Sequence, residues 1–275
     1  IFDKNGLNVE LQMVASTAVM AALLSNQVQM ATLGGAEVLN ADVGGADVMI
    51  LANLAPGYSF KFEAAKEIKT KEDLIGKKVS YTRPGSTTDI GMHAGLAKIG
   101  LDPYKDVTFV QMDTAQQSRD ALISGAVQGT MLQPPETLVV EKQGFHPLFD
   151  FADLGLPAAN ATIAVRKSWL DGHRDVAQKY IDSIVQGAAR EKADKALAVG
   201  VLKKYFKNDD PAQLDETYTY FSRVHPALPY ATPDQFAQII ETGSQTNPKL
   251  KDFNVASVLD SSFVKSAEDR GLNKG

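Results

Sequence analysis

Short apolar runs alternate with helical stretches through the first half of the chain, and glycine or proline marks many of the junctions. Strands are predicted at Val9–Val14, Met30–Leu33, Val48–Leu54, Lys78–Thr82, Val107–Met112 and Gly129–Leu132, from their length and their content of β-branched and other apolar residues. Helices are predicted at Ser16–Leu24, with Val19, Ala22 and Leu23 on one face, from Ala36, over Ser86–Ile99 and over Gln116–Ser124. A strand, helix, strand rhythm predicts parallel sheets joined by crossover helices, because parallel neighbours need a long connection and a helix supplies it.

The back half reads differently. One strand, Ala161–Arg166, precedes helices over Arg174–Ala193, Lys195–Tyr205, Asp215–Arg223 and Pro233–Thr246. Turns at Asp209-Asp210-Pro211, Pro226 to Pro229 and Asn247-Pro248 separate them. A chain of 275 residues suits two compact lobes better than one simple layer.

The first half also matches itself. Shifted by 99 positions, Gln12-Met13 falls on Gln111-Met112, Ala22-Leu23 on Ala121-Leu122, Ser25 on Ser124, Val28-Gln29 on Val127-Gln128, Leu33 on Leu132, Glu37 on Glu136 and Leu39 on Leu138. No gap is needed. The match reads as two copies of one unit, each seeding its own lobe; chance similarity between two βαβ units is the alternative. Two lobes facing each other make a cleft at their hinge, and ligands of open α/β sheets sit beyond the carboxyl ends of strands.

Composition narrows the partners. A net charge of −5 argues against nucleic acid, which wants a Lys/Arg-rich face. Cysteine is absent, which removes disulfides, thiolate nucleophiles and Cys-based zinc sites. No apolar run is long enough to span a membrane, and no signal peptide is visible. The opening Ile1–Leu7 reads as a helix end and glycine turn before a strand, so an earlier strand and helix and an export signal are expected upstream.

Several phrases are shared with a known family: Leu51-Ala52-Asn53, Asp73 to Val79, Arg83-Pro84-Gly85-Ser86-Thr87-Thr88-Asp89, Ala121 to Gly125, Pro134-Pro135-Glu136 and Asp260 to Val264. In order and spacing the chain resembles the periplasmic binding proteins of ABC importers for nitrate, sulfonate, taurine and thiamine-precursor-like solutes. The resemblance implies the α/β type II periplasmic binding fold, with two lobes around a hinge and a mainly helical C-terminal part. It implies lobe one at 1–76 plus 155–275, lobe two at 77–154, and a return crossing near Asp153 to Pro157. It further implies a periplasmic or membrane-anchored location outside the cytoplasm, a small-molecule solute, a membrane permease as partner, a monomeric state and no cofactor.

Candidate ligand residues lie where strands end and helices begin, since helix starts present free N–H groups and partial positive charge. Gly85-Ser86-Thr87-Thr88 combines a bare backbone with three hydroxyls, and Arg83 could pair with a carboxylate or sulfonate. Ser16-Thr17 occupies the corresponding turn of the first lobe. Gly34-Gly35 permits close backbone approach, and Gln133-Pro134 stands at the repeat-related position. Tyr58, with Phe60 beside it, could wall the organic part of a solute. Asp113, Thr114 and Asn160 also end strands, and Glu136 reads as a helix cap. For each, capping, turn geometry or packing is the competing reading. These residues point to a small, anionic organic solute.

Enzyme signatures are missing. His93, His146, His173 and His225 have no metal spacing, and neither a phosphate loop, a dinucleotide fingerprint nor a Gly-x-Ser-x-Gly elbow occurs. Met20, Met112 and Met131 read as core. An enzyme acting on a pyrimidine-like compound and the sensing domain of a transcriptional regulator are the alternatives to transport.

Overall fold

The computed structural model describes residues 1–14, 18–245 and 247–274, and its strands fall into two sheets. The first half holds α1 (Val19–Leu24), β1 (Met30–Leu33), α2 (Gly35–Val43), β2 (Val48–Asn53), β3 (Lys61–Ala64), β4 (Lys77–Tyr81), α3 (Thr87–Lys98), β5 (Val107–Gln111), α4 (Ala115–Ile123), β6 (Gly129–Leu132), α5 (Glu136–Glu141) and β7 (His146–Asp150). The rest holds β8 (Thr162–Arg166), α6 (Lys167–Leu170), α7 (Arg174–Ala193), α8 (Lys195–Phe206), α9 (Pro211–Val224), α10 (Ala237–Gly243) and α11 (Ser262–Asp269).

One sheet has the order β1-β8-β2, the other β5-β4-β6-β3-β7. The central strands are apolar on both faces, as burial on both sides requires: all four residues of β6 are buried, and so is β8 up to Arg166. Gly129 opens β6 because the Phe62 ring of neighbouring β3 lies where a Cβ would go.

The sheets are mixed rather than parallel. β4 runs parallel to β5 and β6, but β3 pairs antiparallel with β6 and β7, and β8 pairs antiparallel with both β1 and β2. Strands arriving from far along the sequence insert where local crossover geometry alone would close a parallel pair. The predicted strand over Val9–Val14 is not formed: the segment pairs with no strand among the described residues, and Met13 is fully exposed. The apolar spacing there reads as a strand, but no sheet edge lies against it. β3 sits in the five-stranded sheet, so residues 61–64 share a sheet with residues 77–150 rather than with β1 and β2.

The offset of 99 survives in three dimensions. β1 at 30–33 maps onto β6 at 129–132, and the last residue of α1, Leu24, maps onto Ile123, the last of α4. The helices that follow, α2 and α5, begin two residues from that register.

Two chain crossings join the sheets and lie antiparallel to each other. Leu54 N–H donates to the Ala161 carbonyl at 2.7 Å, Ala158 N–H to Pro56 at 2.9 Å, and Phe151 N–H to Phe60 at 2.9 Å, with Gly57 bridging Pro157. Fully buried Asn53 ties this ribbon to the C-terminal region, donating to the Ala158 carbonyl and to Gln235 Oε1, each at 2.9 Å.

The C-terminal helices form an arm. α7 buries Ala177, Ile181, Val185 and Ala189, a stripe at four-residue spacing, and packs on α11 through Phe263, Val264 and Ala267. α9 reaches the five-stranded unit. Glu216 accepts from Lys61 at 2.7 Å, Asp210 from Lys142 at 2.9 Å, and Tyr220 donates to Asp150 at 3.0 Å. Arg223, in the last turn of α9, pairs with Asp150 and Asp153. α10 packs against both α2 and α3, and one apolar core runs from Leu39 and Ile50 to Met92 and Leu96. None of the described helices is long and apolar enough to cross a membrane.

Candidate functional site

The starts of α2 and α3, borne by different sheets, meet face to face. Gly34 caps α2 in an ordinary extended conformation, with φ −71° and ψ 149°. A Cβ on Gly34 would lie 2.5 Å from Glu37 Oε2 and 3.0 Å from Thr87 Oγ1, so the two helix starts are separated here by a bare Cα. Arg83 crosses the same gap and donates to Glu37 Oε1 at 2.7 Å.

The α3 start is built by a net of hydroxyls. Gly85 takes a left-handed φ of 73°, which glycine adopts at no steric cost, and its N–H donates to Asp89 Oδ2 at 2.7 Å. Ser86 is the N-cap, accepting from Asp89 N–H at 3.3 Å. Thr82 Oγ1 lies 3.0 Å from Ser86 Oγ and 2.8 Å from Thr88 Oγ1, and Thr88 Oγ1 accepts from the Thr82 N–H at 3.0 Å. His93, one turn on, contacts the Asp89 carboxylate at 3.2 Å; burial favours its neutral form, but Asp89 outweighs that and raises its pKa. Ser86→Ala should cost about 1 kcal/mol of stability, the usual worth of an N-cap, measured by urea unfolding.

Beside this start, at the carboxyl ends of β4 and β6, lies a cavity of about 150 Å³. Its polar wall includes Ser80, Thr82, Thr88, Ser118 and Thr130 together with Gln133 and Glu136; Phe60, Tyr81, Met131, Leu132 and Pro134 add apolar surface. By volume alone, a cavity of this size has room for one benzene ring. Glu136, at the start of α5, accepts from Arg119 at 2.7 Å. A larger depression of about 330 Å³ lies against the hinge, lined by Gly57, Tyr58, Ser59, Ala152, Asp153, Arg223 and Val224. Its charged groups, Arg223 and Asp153, already pair with each other at 2.9 Å.

The sequence-derived candidates are distributed as follows. Gly34, Arg83, Gly85, Ser86, Thr87 and Thr88 gather at the gap, while Gln133 and Pro134 line the cavity. Gln133 spends its amide inward, donating to the Ser59 carbonyl at 2.8 Å and to Ser59 Oγ at 2.9 Å, and Asn160 meets the same hydroxyl at 3.1 Å. Gly35 serves packing: its N–H donates to the Ala159 carbonyl, and a Cβ there would meet Ala159 and Phe236. Tyr58 is buried under α3, edge-on to Phe151 and against Gly91, so its ring is core rather than cleft wall; burial pushes its hydroxyl pKa up. Thr114 caps α4. Ser16 and Thr17 lie outside the described residues. Glu37 is a site residue that the motif reading misses; its repeat relation to Glu136 is the available signal.

A family model described as NMT1/THI5 like matches residues 2–195. Protein YtlA of Bacillus subtilis (strain 168) is 23% identical over 235 residues, covering 83% of this chain and 70% of its own. A ligand-binding component of an ABC-type import system from Staphylococcus aureus superposes with a TM-score of 0.78 at 16% identity, covering 95% of this chain and 88% of that one. The alkanesulfonate-binding protein SsuA from Xanthomonas axonopodis pv. citri, bound to MOPS, gives 0.72 at 17% identity, covering 91% and 86%. A cysteine-to-serine mutant of DszB, in complex with biphenyl-2-sulfinic acid, gives 0.70 at 13%, covering 98% and 92%. The fold is that of the periplasmic binding proteins, and the chain belongs to the NMT1/THI5-like family.

Proposed function

We propose that the chain is the solute-binding component of an ABC importer, capturing a small molecule between its two lobes. The observation that carries this is the meeting of two helix starts from different sheets across one gap, bridged by Arg83 and Glu37. The hinge ribbon divides the molecule near residues 54–60 and 151–161, with the C-terminal helices belonging to the lobe of β1, β8 and β2. Closing over a solute excludes water and strengthens each polar contact. The closed form docks on a membrane permease outside the cytoplasm, as a monomer, and releases its load. The import-system component and SsuA support this reading.

Binding without turnover is favoured over catalysis. The DszB structure carries a substitution at a cysteine, and this chain has no cysteine to stand in such a place. Incubation with a bound solute should return it unchanged.

Small-angle scattering tests the capture. The radius of gyration should fall when a solute binds, and a solute at 100 times its Kd should add about 2.7 kcal/mol of stability. Binding with no change in radius would rule out closure between lobes.

A further inference from the structure

Exposed helix starts suit an anion, yet each start facing the cleft already carries a carboxylate of the chain's own. Glu37 sits in the first turn of α2, Asp89 in that of α3 and Glu136 in that of α5. An acid in the first turn offsets the partial positive charge that an anionic ligand would otherwise find. The two arginines at these starts are paired at 2.7 Å, Arg83 with Glu37 and Arg119 with Glu136. Among the described residues, no lysine, arginine or histidine lines the cavity; its polar groups are hydroxyls, one amide and the Glu136 carboxylate.

Glu37 supplies the positive evidence. Among the described residues its Oε2 is buried without a hydrogen-bond partner, although Oε1 holds Arg83. That oxygen and Thr87 Oγ1 both lie beside Gly34, where the starts of α2 and α3 meet. Burial raises the Glu37 pKa, against the lowering effects of its own backbone N–H and of Arg83. A buried carboxylate oxygen without a donor costs free energy that an incoming N–H group would recover.

Resting on the cleft reading above, we propose that the solute carries no net negative charge and presents an N–H donor, such as an amine or amidine, to Glu37 Oε2. The cavity beside the α3 start, which Glu37 itself does not line, has the volume of a one-ring body.

The test is a charge series on one ring: benzamidine, benzamide and benzenesulfonate, each titrated by calorimetry into the whole protein and followed by scattering. Benzamidine is expected to bind tightest and benzenesulfonate weakest. Glu37→Gln should weaken benzamidine at least tenfold while changing benzamide less than threefold. Thr87→Val, which leaves the carboxylate in place, should keep the benzamidine preference, and the unliganded melting temperature of both variants checks their folding. Benzenesulfonate binding tightest, benzamidine failing to bind, or Glu37→Gln leaving benzamidine unaffected would each overturn the proposal. Compaction with benzenesulfonate alone would sink this charge assignment and keep the cleft; binding of any of the three without compaction would sink the cleft itself.

Discussion

Gly34→Val should hold the two lobes apart while leaving each of them folded. The backbone at Gly34 is in a common extended conformation, so valine adopts it without strain. The obstacle is at the gap, where a Cβ would already press on Glu37 Oε2 at 2.5 Å and, across it, on Thr87 Oγ1 at 3.0 Å, and a valine adds two methyl carbons to that crowding. The Glu37 side chain can swing away, but only by giving up Arg83, the ion pair that spans the gap. Stability should therefore change by only about 1 kcal/mol, in the range of an N-cap replacement. Solute affinity, by contrast, should drop at least a hundredfold, and the scattering radius should stay at its open value with solute present. Unchanged affinity would mean that the solute sits away from this meeting of helices.

The second large effect concerns a buried acid in the five-stranded unit. Glu63 on β3 is fully buried, and among the described residues neither of its carboxylate oxygens has a hydrogen-bond partner. Nearby Lys61 is engaged by Glu141 at 3.0 Å and Glu216 at 2.7 Å. Burial first, and then the negative charge of Glu141, push the Glu63 pKa up to about 8. The ordinary value for the unfolded chain is 4.5. Below that value both states hold the proton and Glu63 costs nothing. As pH rises from 4.5 toward 8, the unfolded chain ionises while the folded one keeps its proton, so stability declines; above 8 the decline from this group ends. Glu63→Gln removes the ionisation and keeps the shape. Any cost of burying the amide is the same at every pH, so the variant should gain on the parent between pH 5 and pH 8 by up to about 4 kcal/mol, at about 1.4 kcal/mol per pKa unit. Urea unfolding across that range measures it, and a constant difference between the two proteins would show that Glu63 does not titrate as argued.

Local chemistry makes much of the frame readable. β1, β6 and α7 fall where short apolar runs or a four-residue stripe place them, because burial on both faces or on one stripe leaves a direct mark on the sequence. The strands without such a mark are those defined by distant partners. β3 is four residues with a lysine and a buried glutamate, and β7 opens with His146-Pro147; each becomes a strand by pairing with the other, more than 80 residues away. The parallel expectation fails for the same reason, since β8 enters between β1 and β2 from far down the chain.

The site divides similarly. Ser86 and Thr88 announce themselves by the capping chemistry of a helix start, and Gly34 by its place at a strand end. What Gly34 avoids, and what Arg83 binds, depend on a contact between residues 46 apart that no periodicity records. Tyr58 shows the converse: an aromatic residue in a connecting segment reads as cleft wall, yet the small Gly91 on α3 opens a slot that draws it into the core.

The deciding measurement is hydrogen–deuterium exchange on the whole protein, with and without the compound that mass spectrometry identifies after release from the native preparation. Slower exchange in both residues 34–39 and residues 85–91 on adding that compound is the predicted result. Protection confined to one of these segments, or falling instead on residues 150–155 and 220–225 around the hinge depression, would contradict the account.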